Sequence, residues 1–433
     1  MTQYKQNVSK KIKIGIIGAG VAGMTAADYL TKNHPECEVT ILEAEDRVGG
    51  RVHTIKEGGD VVEMGANWLH TEFIENLARE KKLELKYFEV VDIFTPKHNR
   101  FYLNGKLLDY RSIKFVWRLS SLWVRWILLL PLKLSFETVF KVLKFFTFSS
   151  HIKSIIDIEA RLLSNVYQKD LNSALATDEI YVNGSQNDYV VSDGLINLFR
   201  LKSDKVKICL NTAVDKIDYL GTTVKVSTNQ GGYEFDKVLI TVSLGVLQSA
   251  VIEFAPALPD YKRKAISSVD FAKGEKIFYY YDEAFFDKKA DLIGIFNSNS
   301  KNKVDLSNST FFVNFSNIHS NPVLVEFVYD STYESIKNFT DEELKSRNLN
   351  LLQSVYGKRA KSPVRIVKSN WTTNCHFQGT YSADNVNSMD RELIRKNVDE
   401  KLYFAGEAAW RMYGYMDAAH DSAIQSCKEM MRV

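Results

Sequence analysis

Charge of one sign is nearly absent as an excess: 56 basic and 53 acidic side chains leave a formal net charge of +3 over 433 residues. So small an imbalance gives no global ground for nucleic-acid binding, which needs a basic face to neutralise phosphates. Cysteine is scarce as well. Cys37, Cys209, Cys375 and Cys427 lie far apart, with neither C-x-x-C nor His-paired spacing, so inert thiols in a reducing compartment are expected, and no metal site. Long apolar runs are missing too. Even in residues 113 to 148 the longest uncharged run is Trp126 to Leu132, whereas crossing a bilayer takes ~20 apolar residues. Residues 1 to 13 are polar and lysine-rich and run straight into a β-branched stretch. That leaves no room for a signal peptide's apolar region, and a cytoplasmic location is expected.

What is present is ordinary globular material, 45% apolar and 25% charged, in a chain long enough for two or more domains. Its most informative stretch runs from Lys11 to Arg51. Ile14, Ile16 and Ile17 make a short strand, Gly18-Ala19-Gly20-Val21-Ala22-Gly23 follows, Met24 to Leu30 continue as a helix, and Val39 to Leu42 form a second strand that stops at Glu43. In that setting the glycines serve a tight turn, close approach of backbone to a pyrophosphate, and packing of helix on strand. The helix N-terminus faces the phosphates with the positive end of its dipole. Glu43 is placed to bind an adenosine ribose and to repel a 2′-phosphate. The residues alone thus indicate an adenine dinucleotide without choosing between nicotinamide and flavin.

Ala44-Glu45-Asp46-Arg47-Val48-Gly49-Gly50-Arg51 is a turn with two guanidinium groups suited to diphosphate oxygens. Val61 to Met64 reads as a strand, and Gly65-Ala66-Asn67-Trp68-Leu69-His70 combines small residues with an amide, an indole and an imidazole. These motifs together resemble the flavin-containing amine oxidases of the monoamine and polyamine oxidase type, and the resemblance runs nearly end to end. It implies an α/β fold: a Rossmann-like FAD-binding domain of discontinuous segments (1–80, 190–255 and 365–433) and a mixed α+β substrate-binding domain (81–189 and 256–364). Gly18, Ala19, Gly20, Gly23, Glu43, Ala44, Arg47, Gly50 and Arg51 would hold the nucleotide, and Gly65, Ala66, Asn67 and Trp68 would pass the flavin ring. His70 falls where animal polyamine oxidases place a histidine, which implies contact with the substrate.

Further along, Val206 to Leu210, Ala213 to Tyr219, Thr223 to Thr228 and Tyr233 to Phe235 read as strands of a small sheet capping the nucleotide, with Val214 where the family presents backbone to adenine. Ser243 stands where the family usually has proline, a change expected to alter only the stiffness of the turn. Lys276 lies on an aromatic-rich strand whose alternation sets Lys276, Phe278 and Tyr280 on one face. Taken alone it would be a solvated edge charge. Gly274-Glu275-Lys276-Ile277 resembles the family segment whose lysine holds a water at flavin N5. Trp371 stands nine residues before Thr380, which replaces the cysteine that bonds the flavin in monoamine oxidases, so non-covalent FAD is implied. Gly406 and Glu407 resemble the cofactor clamp. Tyr381 and Tyr415 would wall an aromatic cage for the amine, with Met416 opening the last helix and Asp417-Ala418-Ala419 departing from the usual Glu-Gly-Ala or His-Gly-Ala.

No second dinucleotide fingerprint occurs, which favours dioxygen over a pyridine nucleotide as the other redox partner. The resemblance implies hydride transfer from a polyamine or related amine to flavin N5, with hydrogen peroxide released. An L-amino-acid or monoamine oxidase, or a flavin-bound scaffold without turnover, stays open; Arg411 is the candidate for binding an amino-acid carboxylate. Residues 113 to 148 carry six basic side chains against one acid in two helical stripes with broad apolar faces. Such helices suit a buried cap or a peripheral membrane contact.

Overall fold

The computed structural model describes residues 11–87, 98–109, 111, 118, 136–167, 184–201, 204–298, 309–383 and 388–432. Strand β1 (Ile12–Ile17), helix α1 (Val21–Asn33) and strand β2 (Cys37–Leu42) form in the expected order. The two strands pair in parallel from Ile12–Cys37 to Ile17–Leu42. Parallel neighbours need a crossover, and α1 supplies it, burying Val21, Ala22, Met24, Ala26, Ala27 and Leu30.

Two further strands from distant parts of the chain complete this layer. Lys237–Ile240 pairs in parallel with β1 on the side away from β2, and Leu402–Phe404 pairs in parallel with Lys237–Ile240. Lys207–Cys209 adds to the outer edge of β2. That strand was expected in the small cap sheet. Instead Ile208 packs on the core beneath the parallel sheet, and the chain turns at Asn211, where φ is +53°, before entering the cap. The cap itself runs Gly231–Phe235, Val224–Thr228, Val214–Asp218, Glu253–Ala255.

The consequence for function lies at the ends of the parallel strands. β1 ends at Ile17 and is followed by Gly18; β2 ends at Leu42 before Glu43; the third strand ends at Ile240 before Thr241; the fourth ends at Phe404, two residues before Gly406. Four segments thus deliver their turns to one carboxyl edge, where open α/β sheets bind ligands.

A seven-stranded sheet forms the second layer system, in the order Arg365–Lys368, Gly274–Tyr280, Val323–Tyr329, Thr310–Asn314, Leu292–Phe296, Asn99–Leu103, Lys106–Leu107. Every residue of Gly274–Tyr280 is buried, because both faces of the strand are covered. Phe278 and Tyr280 join a core shared with Met64 and Trp371, while Ile277 and Tyr279 join another beneath helix Asp341–Tyr356. Arg365–Lys368, which the sequence division places with the nucleotide-binding segments, is hydrogen-bonded to this sheet.

Of the amphipathic segment, most of residues 113 to 135 lies outside the described residues. Helix Phe136–Phe145 is described, and its Val139, Phe140 and Leu143 enter the core with Phe278 and Tyr280. This inner face is a buried cap. The loop expected between Ser298 and Thr310 falls mostly outside the described residues.

Candidate active site

At the nucleotide end, Gly18 adopts φ +104°, a conformation that only glycine takes at no steric cost. The Thr241 hydroxyl supports this turn, donating to the Ile17 carbonyl at 2.8 Å and the Gly18 carbonyl at 3.1 Å. Any side chain at Gly23 would collide with the Gly18 carbonyl, so the third glycine lets α1 leave the strand. The buried Glu43 carboxylate accepts from Ala19 N–H at 2.5 Å and Glu45 N–H at 2.9 Å. Burial pushes its pKa up, and those two backbone donors pull against the shift. Thr212 N–H donates to the Glu43 carbonyl at 2.7 Å, which sets Val214, at the start of the cap sheet, beside the same acid.

The arginine turn folds onto the fingerprint. Gly20 and Gly49 are bridged, Gly50 has φ +58°, and a Cβ at Gly50 would stand 3.0 Å from the Gly20 Cα. Ala44, between Glu43 and the Glu45 amide that donates to it, keeps this corner tight. Arg47 donates to the Gly50 carbonyl at 2.9 Å. Arg51 reaches across the molecule: its Nη1 donates to the Thr380 carbonyl at 2.7 Å and to Glu407 Oε1 at 2.9 Å. Of the two guanidinium groups expected at a diphosphate, this one therefore also joins the first motif to the last.

Glu407 is fully enclosed. It accepts from Ser382 Oγ at 2.6 Å, the Ser382 amide and Gly414 N–H at 3.0 Å, besides Arg51. Behind it, buried Arg391 donates to Ser382 Oγ at 2.9 Å. Burial opposes the charged form of Glu407, yet Arg51, Ser382 and Arg391 outweigh it and hold the carboxyl below its ordinary range. Next to this charge Gly406, at φ +144°, opens on space: a Cβ there would meet nothing within 4 Å. A backbone cradle beside a fixed carboxylate and the strand-edge turns fits a dinucleotide with a ribityl chain.

At the other end, Trp371 Nε1 donates to the Met64 carbonyl at 2.9 Å. A Cβ at Gly65 would collide with the Arg51 carbonyl and stand 3.0 Å from the Trp371 ring, and Ala66 N–H donates to that same carbonyl at 3.1 Å. The start of the loop 65–68 is thereby held against Arg51 and Trp371. Lys276 enters it from the neighbouring sheet. Its Nζ donates to the Glu63 carbonyl at 3.1 Å, to the Gly65 carbonyl and to Asn67 Oδ1, with the Phe327 ring at 5.0 Å. The solvated edge charge that a lone strand lysine suggests is thus replaced by a buried amine. Burial pushes its pKa down to about 7, although the nearby Glu63 pulls the other way.

The region beyond Lys276 is aromatic. Trp68 is stacked with Phe315 at 6.0 Å and Phe327 at 5.9 Å, and His70 lies 5.9 Å from Trp68 and 6.0 Å from Tyr415, edge to face. Tyr381 packs 6.3 Å from Tyr329, and a Cβ at Gly414 would lie 3.8 Å from the Tyr381 ring. Burial pushes the Tyr381 phenol well above its ordinary value. Thr380, in the cysteine's place, donates to the Ala272 carbonyl at 3.1 Å. Met416 begins the C-terminal helix Met416–Met430, and Asp417 accepts from the Thr71 hydroxyl. That link joins the residue after His70 to the helix that follows Tyr415.

Thus the structure gathers Lys276, Asn67, Trp68, His70 and Tyr415 in one region and adds Phe315, Phe327 and Tyr329, which sequence reasoning missed. Phe327 is the ladder partner of Lys276, a relation visible only once the strands are paired. Ser243, expected to affect turn stiffness alone, caps the helix Leu244–Gln248 through Val246 N–H at 3.2 Å and donates to the Phe377 carbonyl at 2.7 Å. Arg411 is 79% exposed and faces Glu392 at 3.8 Å, so it turns to solvent rather than to the cage. Among the described residues no cluster of metal-ligating side chains occurs.

Comparison with known proteins agrees with this architecture. A family model for flavin containing amine oxidoreductases matches residues 21–431. Polyamine oxidase 4 of Oryza sativa subsp. japonica is 28% identical over 437 residues, covering 96% of this chain and 87% of that protein. Lysine-specific histone demethylase 1 homolog 2 of Arabidopsis thaliana is 26% identical over 96% of this chain but only 58% of its own length. A redesigned putrescine oxidase double mutant superposes with a TM-score of 0.73, at 18% identity, over 98% of this chain and 99% of that one; this likeness is one of fold.

Proposed function

The chain belongs to the flavin containing amine oxidoreductase family, and from that premise we propose that it oxidises a C–N bond of a polyamine or related amine, with FAD held non-covalently and dioxygen as the electron acceptor. The observation that carries the reading is the buried Lys276 amine, fixed among Glu63, Gly65 and Asn67 and flanked by the aromatic group around His70 and Tyr415. A bound flavin would supply the two-electron acceptor, with dioxygen as the oxidant that restores it and hydrogen peroxide as the product.

The chain's own residues do the rest. Gly18, Ala19, Gly20 and Gly23 with Glu43, Arg47 and Gly50 would seat the nucleotide, and Gly406, Glu407, Arg51 and Met416 the chain beyond it. Gly65 to Trp68 and Trp371 would flank the ring. With a pKa of about 7, Lys276 is a neutral amine in a good part of the population at neutral pH; its N–H groups are taken up by Glu63, Gly65 and Asn67, and the lone pair of the neutral form would accept from a water. Tyr381 stays a neutral phenol there, so it can offer the substrate nitrogen an uncharged π face. His70, against Tyr415, would contact an amine nitrogen directly or through water. Thr380 has no thiol to form a thioether, which supports non-covalent attachment. The amino-acid oxidase reading loses its carboxylate partner with the outward orientation of Arg411.

The test is peroxide release from flavin-loaded protein given spermine, spermidine, acetylated polyamines, putrescine, monoamines, amino acids and a methyl-lysine peptide. Turnover confined to polyamines is expected. Turnover of monoamines or amino acids alone moves the substrate class, and silence across the panel leaves a flavin-bound scaffold.

A further inference from the structure

Helix Phe136–Phe145 and helix Ser150–Tyr167 pack together as a hairpin. Its inner face is committed to the protein core through Val139, Phe140, Leu143, Ile155, Ile156 and Ile158. At the tip Phe145, Phe146 and Phe148 are 80%, 63% and 99% exposed. Single exposed apolar residues are commonplace, but three phenylalanines within four positions are a concentrated apolar surface. They do not hang on a loose loop. Lys144 is clamped to Asp157 of the second helix at 2.5 Å, and the Thr147 hydroxyl donates to the Leu143 carbonyl at 2.9 Å. With Phe140 and Leu143 fixed inwards, the tip rings are held outwards.

The charge of the sequence that carries the tip indicates what covers them. Residues 110 to 153 hold eight of the chain's 56 basic side chains and one of its 53 acids, so the remainder of the chain is net acidic, 48 against 52. All of the positive excess is concentrated on the sequence that contains the tip. Within the described part, the Lys141 side chain is 65% exposed beside it and paired at 2.8 Å with the half-exposed Glu137. Exposed aromatic side chains on a stretch of basic sequence match an anionic bilayer surface, with rings at the acyl boundary and basic side chains among the headgroups. Among the described residues no helix is long and apolar enough to cross a membrane, so the contact would be peripheral.

We propose that the Phe145–Phe148 tip inserts into the interface of an anionic membrane leaflet and holds the protein at its surface. This does not depend on which amine is oxidised, or on turnover at all. The experiment is co-sedimentation of the flavin-loaded full chain with phosphatidylcholine vesicles containing about one third phosphatidylserine, and with pure phosphatidylcholine vesicles, at low and at physiological salt. Binding is expected to the anionic vesicles, to weaken with salt, and to fall about tenfold for each phenylalanine removed in Phe145→Ser and Phe148→Ser and about fivefold in Lys141→Gln. Retained flavin absorbance and an unchanged melting point show that the variants are folded. Absence of binding to anionic vesicles overturns the proposal, as does binding that the phenylalanine variants leave intact. Self-association abolished by those variants, without vesicle binding, assigns the tip to a second copy of the chain and overturns it equally.

Discussion

Replacing Lys276 with methionine separates the electrostatic role of the amine from its packing. Methionine nearly matches the stem, so the change removes three donated hydrogen bonds, to Glu63, Gly65 and Asn67, worth about 1 kcal/mol each. It also removes a penalty. With the pKa at about 7 instead of 10.5, the lysine costs the folded state about 4 kcal/mol at neutral pH. The two effects nearly cancel, and Lys276→Met should fold and bind flavin much as the parent does. Their pH dependence does not cancel. The folded-state pKa is depressed, so between about pH 7 and 10.5 the unfolded chain holds a proton that the folded chain has released, and stability rises with pH across that window. Between pH 7 and 9 the parent should gain about 2 kcal/mol from this one group, and the variant none of it. Denaturant titrations at the two pH values read the difference directly. In stopped flow the variant should lose about a hundredfold in amine-dependent flavin reduction or in reoxidation, together with an ionisation near pH 7. Parental rates with the parental pH profile would refute the assignment, as would a stability difference that does not change with pH.

Three other outcomes follow from particular contacts. Thr71→Val breaks the link to Asp417 between the His70 strand and the Tyr415 helix, and KM for the amine should rise about tenfold with kcat little changed, whereas Asp417→Asn, which still accepts, should stay near parental; equal losses in both would remove the positioning role. Ser243→Ala forfeits a helix cap and strands the buried Phe377 carbonyl, at a cost of about 2 kcal/mol, and an unchanged melting temperature would contradict it. Acid precipitation should leave the yellow chromophore in the supernatant; colour in the pellet would disprove non-covalent attachment.

The parallel layer was legible because its signals are local: β-branched runs, glycines at fixed offsets and an acid at a strand end are all read within 40 residues. Lys276 illustrates the opposite case. Its strand was evident, but burial on both faces depends on sheet order, and with only its own sequence in view the residue resembles an edge charge. Phe327 reaches the site as the ladder partner of Lys276 and Phe315 in the short helix that follows strand Thr310–Asn314, so no local pattern marks them. The misplacement of Lys207–Cys209 has a related cause. Strand type is written in alternation, whereas strand partner is decided by tertiary packing, here Ile208 against the parallel layer. Ser243 was underestimated because its partner, the Phe377 carbonyl, lies 134 residues away.

The strand order of the parallel layer also bears on biosynthesis. β1 and β2 are complete within the first 42 residues, yet their neighbour Lys237–Ile240 and its own partner Leu402–Phe404 come far later, and α1 packs on the C-terminal helix Met416–Met430. At ordinary elongation rates the first strands wait on the order of 20–80 s for the last. Throughout that interval the apolar edge of β1 is exposed on the nascent chain, open to mispairing. The nucleotide edge itself closes only once Leu402–Phe404 and Met416–Met430 have been made, so truncation near residue 400 is a lesion of the first motif as much as of the last.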